Sequence, residues 1–312
     1  MMEEAMFRNF NEMEEYVVSG HRAKIVALCG AHDQPALEAV ADARKRGVVA
    51  GAYLIGDSKR IRCTLKEIGE QEEYYTVIEE TDETLSSRMA IKLVREGNAD
   101  IPMKGLVQTA SFLRAVLDKE NGILPKGKLL NQCMVFEDPV KERLTFAGDC
   151  AMNIYPGFEE KKKIIENCVA LAESCGYEVP KVAALSVLEK VNPKITSSVE
   201  AGQLAELDWK GRCIVEGPFA LDNAVDSEAA KHKGVAGQVA GNADILLMSG
   251  LDMGNAFYKS LHFYAHFKIA SALCGTDYPV VMTSRTDTPE TKYLSILIAI
   301  LQADAVKASK AA

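Results

Sequence analysis

Short apolar runs alternate with amphipathic segments along most of the chain. The apolar runs predict β-strands at 23–30, 51–57, 98–105, 143–149, 181–187, 212–218, 243–249 and 278–284. Segments with apolar residues three or four positions apart predict helices at 34–47, 81–97, 109–119 and 158–175. Another helix is expected to begin at Pro289, directly after Thr288. This alternation predicts an α/β fold with mainly parallel sheets covered by helices.

The number of predicted strands is large for a single sheet, and 312 residues are enough for two domains of ordinary size. We therefore predict two α/β domains with an interdomain cleft. The first is expected to comprise residues 1–135 and 285–312, and the second residues 136–284. The segment 124–143 is the expected crossing between them.

Charge and hydropathy narrow the classes of partner. The net charge is −8, with 36 Lys and Arg against 44 Asp and Glu, which disfavours nucleic acid or an anionic membrane as the main partner. The first twenty residues are acidic and lack the apolar core of an export signal. The longest apolar stretch, 294–301, is too short to span a bilayer. These features predict a cytoplasmic protein.

Familiar cofactor and metal motifs are incomplete in this sequence. The eight cysteines contain no Cys-x-x-Cys pair, so we expect reduced, mostly buried thiols and no bound metal. The segment 122–129 imitates a phosphate-binding loop, but Leu129 stands where a hydroxyl is needed. His262 and His266 lie four residues apart among aromatic residues, which favours a packed helix surface over a metal site.

Three polar clusters follow predicted strands or open predicted helices. They comprise Lys104, Thr109, Ser111 and Arg114; Asn255 and Lys259, where Gly254 and Asn255 are expected to begin a helix; and Thr283, Ser284, Arg285 and Asp287. Singly, these residues could be helix caps or solvated side chains. Together they supply cations, hydroxyls and helix N-termini at the carboxyl ends of strands, a combination that suits a tetrahedral dianion.

Four stretches carry a resemblance to a known family. They are "GNADIPMKGLVQTASFLRAVLDKENG", "VEGPFALDNAVDSEAAKHKG", "VAGNADILLMSGLDMGNAFYKSL" and "VVMTSRTDTPETKYLSI". They resemble the phosphate acetyl/butyryl transferase family, and the resemblance runs from about residue 21 to 305. It implies two α/β domains with a cleft, related to the isocitrate/isopropylmalate dehydrogenase fold. It also implies reversible acyl exchange between coenzyme A and phosphate without a covalent enzyme intermediate, and it favours butyryl over acetyl.

The resemblance implies roles for particular residues. Ser284, Arg285 and Arg114 match positions that surround the phosphate in the acetyl branch of the family. That branch has its proposed base seven residues beyond the Ser, where this chain has Thr291. The base is therefore expected to be Asp287 or Glu290, with a helix cap as the alternative role for Asp287. The Gly/Ser-rich loop of the acetyl branch is replaced by 186–198, which leaves the coenzyme A contacts open.

The expected chemistry is attack of the coenzyme A thiolate on an acyl phosphate. Arg114 and Arg285 would hold phosphate oxygens, and Ser284 would donate to the developing oxyanion. The expected substrate-binding residues are Lys104, Thr109, Ser111, Asn255, Lys259 and Thr283. Acyl-CoA and inorganic phosphate are the expected partners of a homodimer or higher homo-oligomer, with coenzyme A as a substrate and no permanently bound cofactor. The alternatives are a phosphate acetyltransferase, a metal- and NAD-dependent hydroxyacid dehydrogenase, and a non-catalytic acyl-CoA-binding protein.

Overall fold

The computed structural model describes residues 6–20 and 23–311, with side chains in this range as far as residue 305. The chain divides into two compact units. The first, here called the 10–128 unit, comprises Phe10–Lys128 and Ala270–Ala312. The second, here called the 129–269 unit, comprises Met1–Asn9 and Leu129–Ile269.

Strands and helices alternate along the described residues, as the hydrophobic pattern predicts. In chain order the elements are α1 (Phe10–Gly20), β1 (Lys24–Cys29), α2 (Gln34–Lys45), β2 (Val49–Gly56), α3 (Ser58–Glu67), a 3₁₀ turn (Glu72–Tyr74), β3 (Tyr75–Glu79), α4 (Glu83–Arg95), β4 (Ile101–Lys104), α5 (Thr109–Val116), β5 (Asn131–Asp138), β6 (Arg143–Gly148), α6 (Phe158–Ser174), β7 (Lys181–Leu185), α7 (Thr196–Ala205), β8 (Ile214–Phe219), α8 (Leu221–Val225), α9 (Ser227–His232), β9 (Ile245–Leu247), α10 (Leu251–Phe263), β10 (Ile269–Cys274) and α11 (Pro289–Ala311).

The 10–128 unit is built on a four-stranded sheet in the order β3-β2-β1-β4, and every neighbouring pair is parallel. Cys29 at the end of β1 is in register with Ile55 on one side and with Lys104 on the other. The carboxyl ends of these strands therefore meet at one edge of the sheet. Helices begin shortly after that edge, where the Asp57 and Asp82 carboxylates accept backbone N–H bonds at the starts of α3 and α4.

Two glycines allow the ends of β1 and β4 to lie against each other. The N–H of Gly105 donates to the carbonyl oxygen of Cys29 at 2.9 Å. A Cβ added at Gly105 would lie 2.6 Å from the carbonyl oxygen of Gly30, and Gly30 itself has a φ of +60°. Any side chain at 105 would push these backbones apart, so the sequence Lys104-Gly105 fixes where β4 leaves the sheet.

The predicted strand at 278–284 is reduced to two isolated bridges. Val281 pairs with Met103 in the parallel sense, and Val280 pairs with Leu273 in the antiparallel sense. The expectation of a regular strand is thus wrong, because within this stretch only Val280 and Val281 form β-bridges. The predicted start of the next helix is confirmed, since α11 begins at Pro289. Residues 291–301 of that helix are all buried.

Five strands of the 129–269 unit lie in a second sheet, in the order β5-β6-β9-β7-β8. Strands β5 and β6 are antiparallel, whereas the pairs β6–β9, β7–β9 and β7–β8 are parallel. Met134, Ala147, Leu185 and Leu246 belong to the hydrophobic core of this unit. The prediction of an α/β fold with mainly parallel sheets is confirmed. None of the described helices is both long and apolar enough to cross a membrane.

The expected domain boundaries at 135/136 and 284/285 differ from the division into compact units, which falls at 128/129 and 269/270. Strand β5 forms a hairpin with β6, from Cys133 opposite Gly148 to Asp138 opposite Arg143, so the expected crossing at 124–143 holds a regular strand. The stretch 270–284 belongs to the other unit, where Val281 pairs with Met103.

Candidate active site

Lys104 ends β4 as a buried cation. Lys104 is 2% exposed, and its Nζ donates to the carbonyl oxygen of Gly105 at 3.2 Å. The thiol of Cys29 at the end of β1 donates to the carbonyl oxygen of Met103. Burial raises the pKa of Cys29 to about 11, although the nearby charge of Lys104 acts in the opposite direction. Cys29 is therefore protonated at neutral pH and unsuited to act as a nucleophile.

Asp287 closes a turn with Ser284. The carboxylate is buried, and its Oδ2 accepts the backbone N–H of Ser284 at 2.6 Å. The N–H of Asp287 donates back to the carbonyl oxygen of Ser284 at 3.2 Å. The other carboxylate oxygen, Oδ1, is buried without a hydrogen-bond partner among the described residues. Such an oxygen can accept a proton or a donor from a bound molecule.

The cap of α11 is a different residue. The hydroxyl of Thr288 accepts the backbone N–H of Thr291 at 3.2 Å, as an N-terminal cap does. The helix-cap alternative for Asp287 is therefore wrong, because its carboxylate bonds backward to Ser284. Glu290, the other candidate base, is exposed in the first turn of α11.

Lys292 is a functional candidate that the sequence reasoning missed. It is 1% exposed, and its Nζ donates to Oγ1 of Thr283 at 3.1 Å and to the carbonyl oxygen of Ser284 at 3.0 Å. The sequence does contain a signal for it. Lys292 is a lone lysine near the start of a predicted helix, and most of the ten residues after it are apolar. An isolated cation on such a helix must find polar partners inside the fold.

The charges of Lys104, Lys292 and Asp33 influence one another, and we call the group formed by these residues with Thr283, Ser284 and Asp287 the buried cluster. Burial lowers the pKa of Lys104, and repulsion from Lys292 and Arg285 lowers it further. Burial also lowers the pKa of Lys292, while Asp33 and Asp287 act in the opposite direction. Burial raises the pKa of Asp33, which lies shortly after β1, while the charges of Lys292 and Lys104 act to lower it. The carboxyl edge of the sheet therefore carries buried positive charge with only partial compensation.

The other predicted site residues of the 10–128 unit range from buried to exposed. Thr283 is buried and Ser284 half-buried, with the Ser284 hydroxyl bonded to that of Thr286 at 3.0 Å. Arg285 and Arg114 are exposed.

In α5, Thr109 is exposed and Ser111 is buried, and no side-chain hydrogen bond caps the helix. Among the described residues, no hydrogen bond or ion pair joins Arg114, Thr109 or Ser111 to the segment 283–287. The structure thus links Lys104, Thr283, Ser284 and Asp287 to Lys292, directly or electrostatically, whereas the α5 residues remain separate candidates.

Asn255 and Lys259 lie on α10 in the 129–269 unit. The helix begins at Leu251, so the expectation that Gly254 and Asn255 begin it is wrong. Gly254 lies within the helix, where an added Cβ would be 2.2 Å from the carbonyl oxygen of Asp149, so this glycine allows close packing rather than a helix start. Asn255 is exposed, and the Nζ of half-buried Lys259 lies 5.0 Å from the ring centroid of Tyr258.

The expected aromatic packing of His262 is confirmed, because its ring stacks on that of Tyr258 with centroids 6.0 Å apart. His266 lies beyond the end of α10, so the two histidines do not share a helix face. Among the described residues, no group of three or more His, Cys, Asp or Glu side chains is arranged to hold a metal ion. Seven of the eight cysteines are buried, and Cys63 is exposed.

A parallel sheet that brings buried ammonium groups, hydroxyls and a helix start to its carboxyl edge belongs to the class of α/β proteins that bind oxyanions. The family model described as phosphate acetyl/butaryl transferase matches residues 76–300. The chain belongs to this family and is an acyltransferase. The resemblance drawn from the sequence motifs is thereby confirmed.

Relatives and solved structures support the same family. The chain is 44% identical over 301 residues to a phosphate butyryltransferase of Clostridium acetobutylicum, covering 96% of this chain and 99% of the relative. It is 38% identical to a phosphate acetyltransferase of Thermotoga maritima, covering 89% of this chain and 94% of the relative. The crystal structure of a branched-chain phosphotransacylase from Enterococcus faecalis V583 superposes with a TM-score of 0.81 at 32% identity, covering 90% of this chain and 99% of that one.

Proposed function

We propose that the protein transfers a butyryl group reversibly between coenzyme A and inorganic phosphate. The observation that carries this proposal is the likeness, over nearly the whole of both chains, to a relative named phosphate butyryltransferase. The buried cations and hydroxyls at the carboxyl edge of the 10–128 sheet are consistent with it, because one substrate is a tetrahedral anion.

In the direction of thioester formation, the sulfur of coenzyme A attacks the carbonyl carbon of butyryl phosphate. Negative charge develops on the carbonyl oxygen, to which the Ser284 hydroxyl donates. The bond between the carbonyl carbon and the phosphate oxygen then breaks, and phosphate leaves. Arg114 and Arg285 hold phosphate oxygens through their guanidinium groups. The transfer is direct, with both substrates bound at once, so alignment supplies much of the rate.

Asp287 takes the thiol proton in this scheme. Its Oδ1 is buried and has no partner among the described residues, while Oδ2 is held by the N–H of Ser284. The turn therefore fixes the carboxylate beside the oxyanion donor. Glu290 is the weaker candidate, since it is exposed at the start of α11.

Further residues complete the proposed substrate contacts. Lys104 and Thr283 bind on the phosphate side, because both lie in the buried cluster. Thr109, Ser111, Asn255 and Lys259 are assigned to substrate binding because they belong to the polar clusters identified in the sequence. We further infer two domains with a cleft, related to the isocitrate/isopropylmalate dehydrogenase fold, in a cytoplasmic homodimer or higher homo-oligomer without a permanent cofactor or metal.

The test is release of free thiol from butyryl-, propionyl- and acetyl-CoA, each with and without phosphate. We expect phosphate-dependent release that is fastest with butyryl-CoA. Thiol release at the same rate with and without phosphate would indicate a thioesterase. The absence of release from every thioester would contradict the proposal and favour a binding protein.

A phosphate acetyltransferase is the second candidate, and the 38% identical relative of that name favours it. The same assay separates the two, because acetyl-CoA would then be the faster substrate.

A further inference from the structure

Four lysines are buried in the described part of the chain, and they fall into two kinds. Lys24 pairs with Asp304, with 2.7 Å between Nζ and Oδ1, and Lys161 pairs with Glu200. Within the described residues, Lys104 and Lys292 have no carboxylate at ion-pair distance and bond only to neutral oxygens. A buried cation is costly without an opposite charge, so these two lysines require an explanation that the fold itself does not supply.

The hydrogen-bond capacity of the two ammonium groups is incompletely used. Each has three N–H donors. Lys104 makes one hydrogen bond, to the carbonyl oxygen of Gly105. Lys292 makes two, to Thr283 and to Ser284. Three donors remain on these two buried groups. Lys104 follows Met103, whose bridge partner Val281 lies two residues before Thr283, the partner of Lys292. This arrangement suits a ligand with several acceptor oxygens.

Mutual repulsion points the same way. Burial is the largest cause of the lowered pKa of Lys104, and the charges of Lys292 and Arg285 lower it further. Asp33 and Asp287 compensate part of the positive charge from a distance. A dianion between the ammonium groups would interact favourably with both cations in surroundings of low dielectric constant.

Lys292 also bonds to the turn formed by Ser284 and Asp287. Its bonds go to the hydroxyl of Thr283 and to the carbonyl oxygen of Ser284, whose N–H is held by Asp287. A ligand bound to this ammonium group is therefore held in a fixed relation to Ser284, the proposed oxyanion donor.

We propose that Lys104 and Lys292 form a buried pair that binds the phosphate oxygens, and that Lys292 is also the positioning residue for Ser284. This proposal rests on the phosphate-dependent transfer proposed above. Lys292 of α11 would thus contact phosphate in addition to the exposed Arg114 and Arg285.

The experiment compares Lys292→Met with Lys24→Met in the full chain. Lys24→Met is the matched control, because it also removes a buried lysine of the 10–128 unit but at the amino end of β1. Three quantities are measured: the KM for phosphate, the KM for butyryl-CoA, and the rise in melting temperature caused by inorganic phosphate. For Lys292→Met we expect a rise of about 10- to 100-fold in the KM for phosphate, the loss typical of one buried hydrogen bond to a charged group, with the KM for butyryl-CoA nearly unchanged.

Phosphate should raise the melting temperature of the wild type and of Lys24→Met, and much less that of Lys292→Met. A lower melting temperature with an unchanged phosphate KM and phosphate response would overturn the proposal and leave Lys292 a structural residue. If Lys292→Met does not fold, Lys104→Met takes its place with the same expected results, since its ammonium bonds only to an adjacent carbonyl. A wild type that releases no thiol, with phosphate stabilisation that is lost in Lys292→Met, would contradict the proposed reaction while supporting the phosphate pair.

Discussion

Replacing Asp287 by Asn separates the two things that this carboxylate can do. Oδ2 accepts the N–H of Ser284 at 2.6 Å, whereas Oδ1 is buried without a partner among the described residues. The side-chain oxygen of Asn can keep the bond to Ser284, and its NH₂ group then occupies the position of Oδ1. The variant thus retains the turn but removes the oxygen that would accept a proton.

The magnitudes of the two effects differ enough to be distinguished. Exchanging a charge-assisted bond for a neutral one should lower the free energy of unfolding by about 1 kcal/mol. Loss of a general base should lower turnover by about 10²- to 10⁴-fold, which is about 3–5 kcal/mol in the barrier. A free carboxylic acid is a much stronger acid than a free thiol, so complete proton transfer to a carboxylate before attack would be strongly uphill. The proton is therefore expected to move as the sulfur attacks.

The assay measures kcat for thioester formation from butyryl phosphate and coenzyme A at saturating concentrations of both. Saturation matters because Asp287 also favours the charged form of Lys292, so the variant should bind phosphate groups somewhat more weakly. Without a base, the reaction depends on thiolate formed in solution. The rate of Asp287→Asn should then rise about tenfold per pH unit up to a pH of about 8.5, while the wild type responds less steeply.

Glu290→Gln is the matched control, since it removes a nearby but exposed carboxylate. Near-normal turnover by Asp287→Asn together with a crippled Glu290→Gln would move the base to Glu290. Normal turnover by both variants would refute the reasoning and show that the carboxylates are structural.

Three other outcomes are expected. Arg285→Lys and Arg114→Lys keep the charge but lose the forked geometry, so the KM for phosphate should rise about tenfold while butyryl-CoA still binds; wild-type phosphate kinetics in both would show that these arginines are not phosphate ligands. Gly105→Ala places a methyl group 2.6 Å from the carbonyl oxygen of Gly30 and should lower the free energy of unfolding in urea by about 1–3 kcal/mol. Gly157→Ala, where the nearest atom is 4.0 Å away, should change it much less. EDTA should leave thiol release intact, and a loss that divalent ions restore would reveal a metal requirement.

Much of the fold could be predicted because its signals are local. The run at 23–30 becomes β1, and the segment 158–175 becomes α6, whose buried stripe includes Ile164, Ile165, Cys168 and Val169. Pro289 begins α11, since proline at a first helical position costs no hydrogen bond. The sequence motifs also identified the family and brought Ser284, Arg285 and Asp287 into consideration. In each case the deciding residues are neighbours in the chain.

Other elements depended on partners that are distant in sequence. Strand β5 lies in the segment expected to connect two domains, and its antiparallel pairing with β6 makes it a strand. The run at 278–284 is as apolar as a strand, yet within it only Val280 and Val281 form β-bridges. Hydrophobic pattern alone records burial, whereas a strand also needs a neighbour in register.

The environment of the charged side chains was likewise decided only in three dimensions. Lys292 follows the first turn of a helix, where a lysine is ordinarily solvated, but here the helix is covered and the ammonium turns to Thr283 and Ser284. Asp287 was a candidate cap by its position, yet its carboxylate bonds to Ser284 while Thr288 caps the helix. The sequence by itself determined which chemical groups are present and which helices and strands carry them. Tertiary packing decided which groups lose water, and burial is what turns two ordinary lysines into a candidate phosphate site.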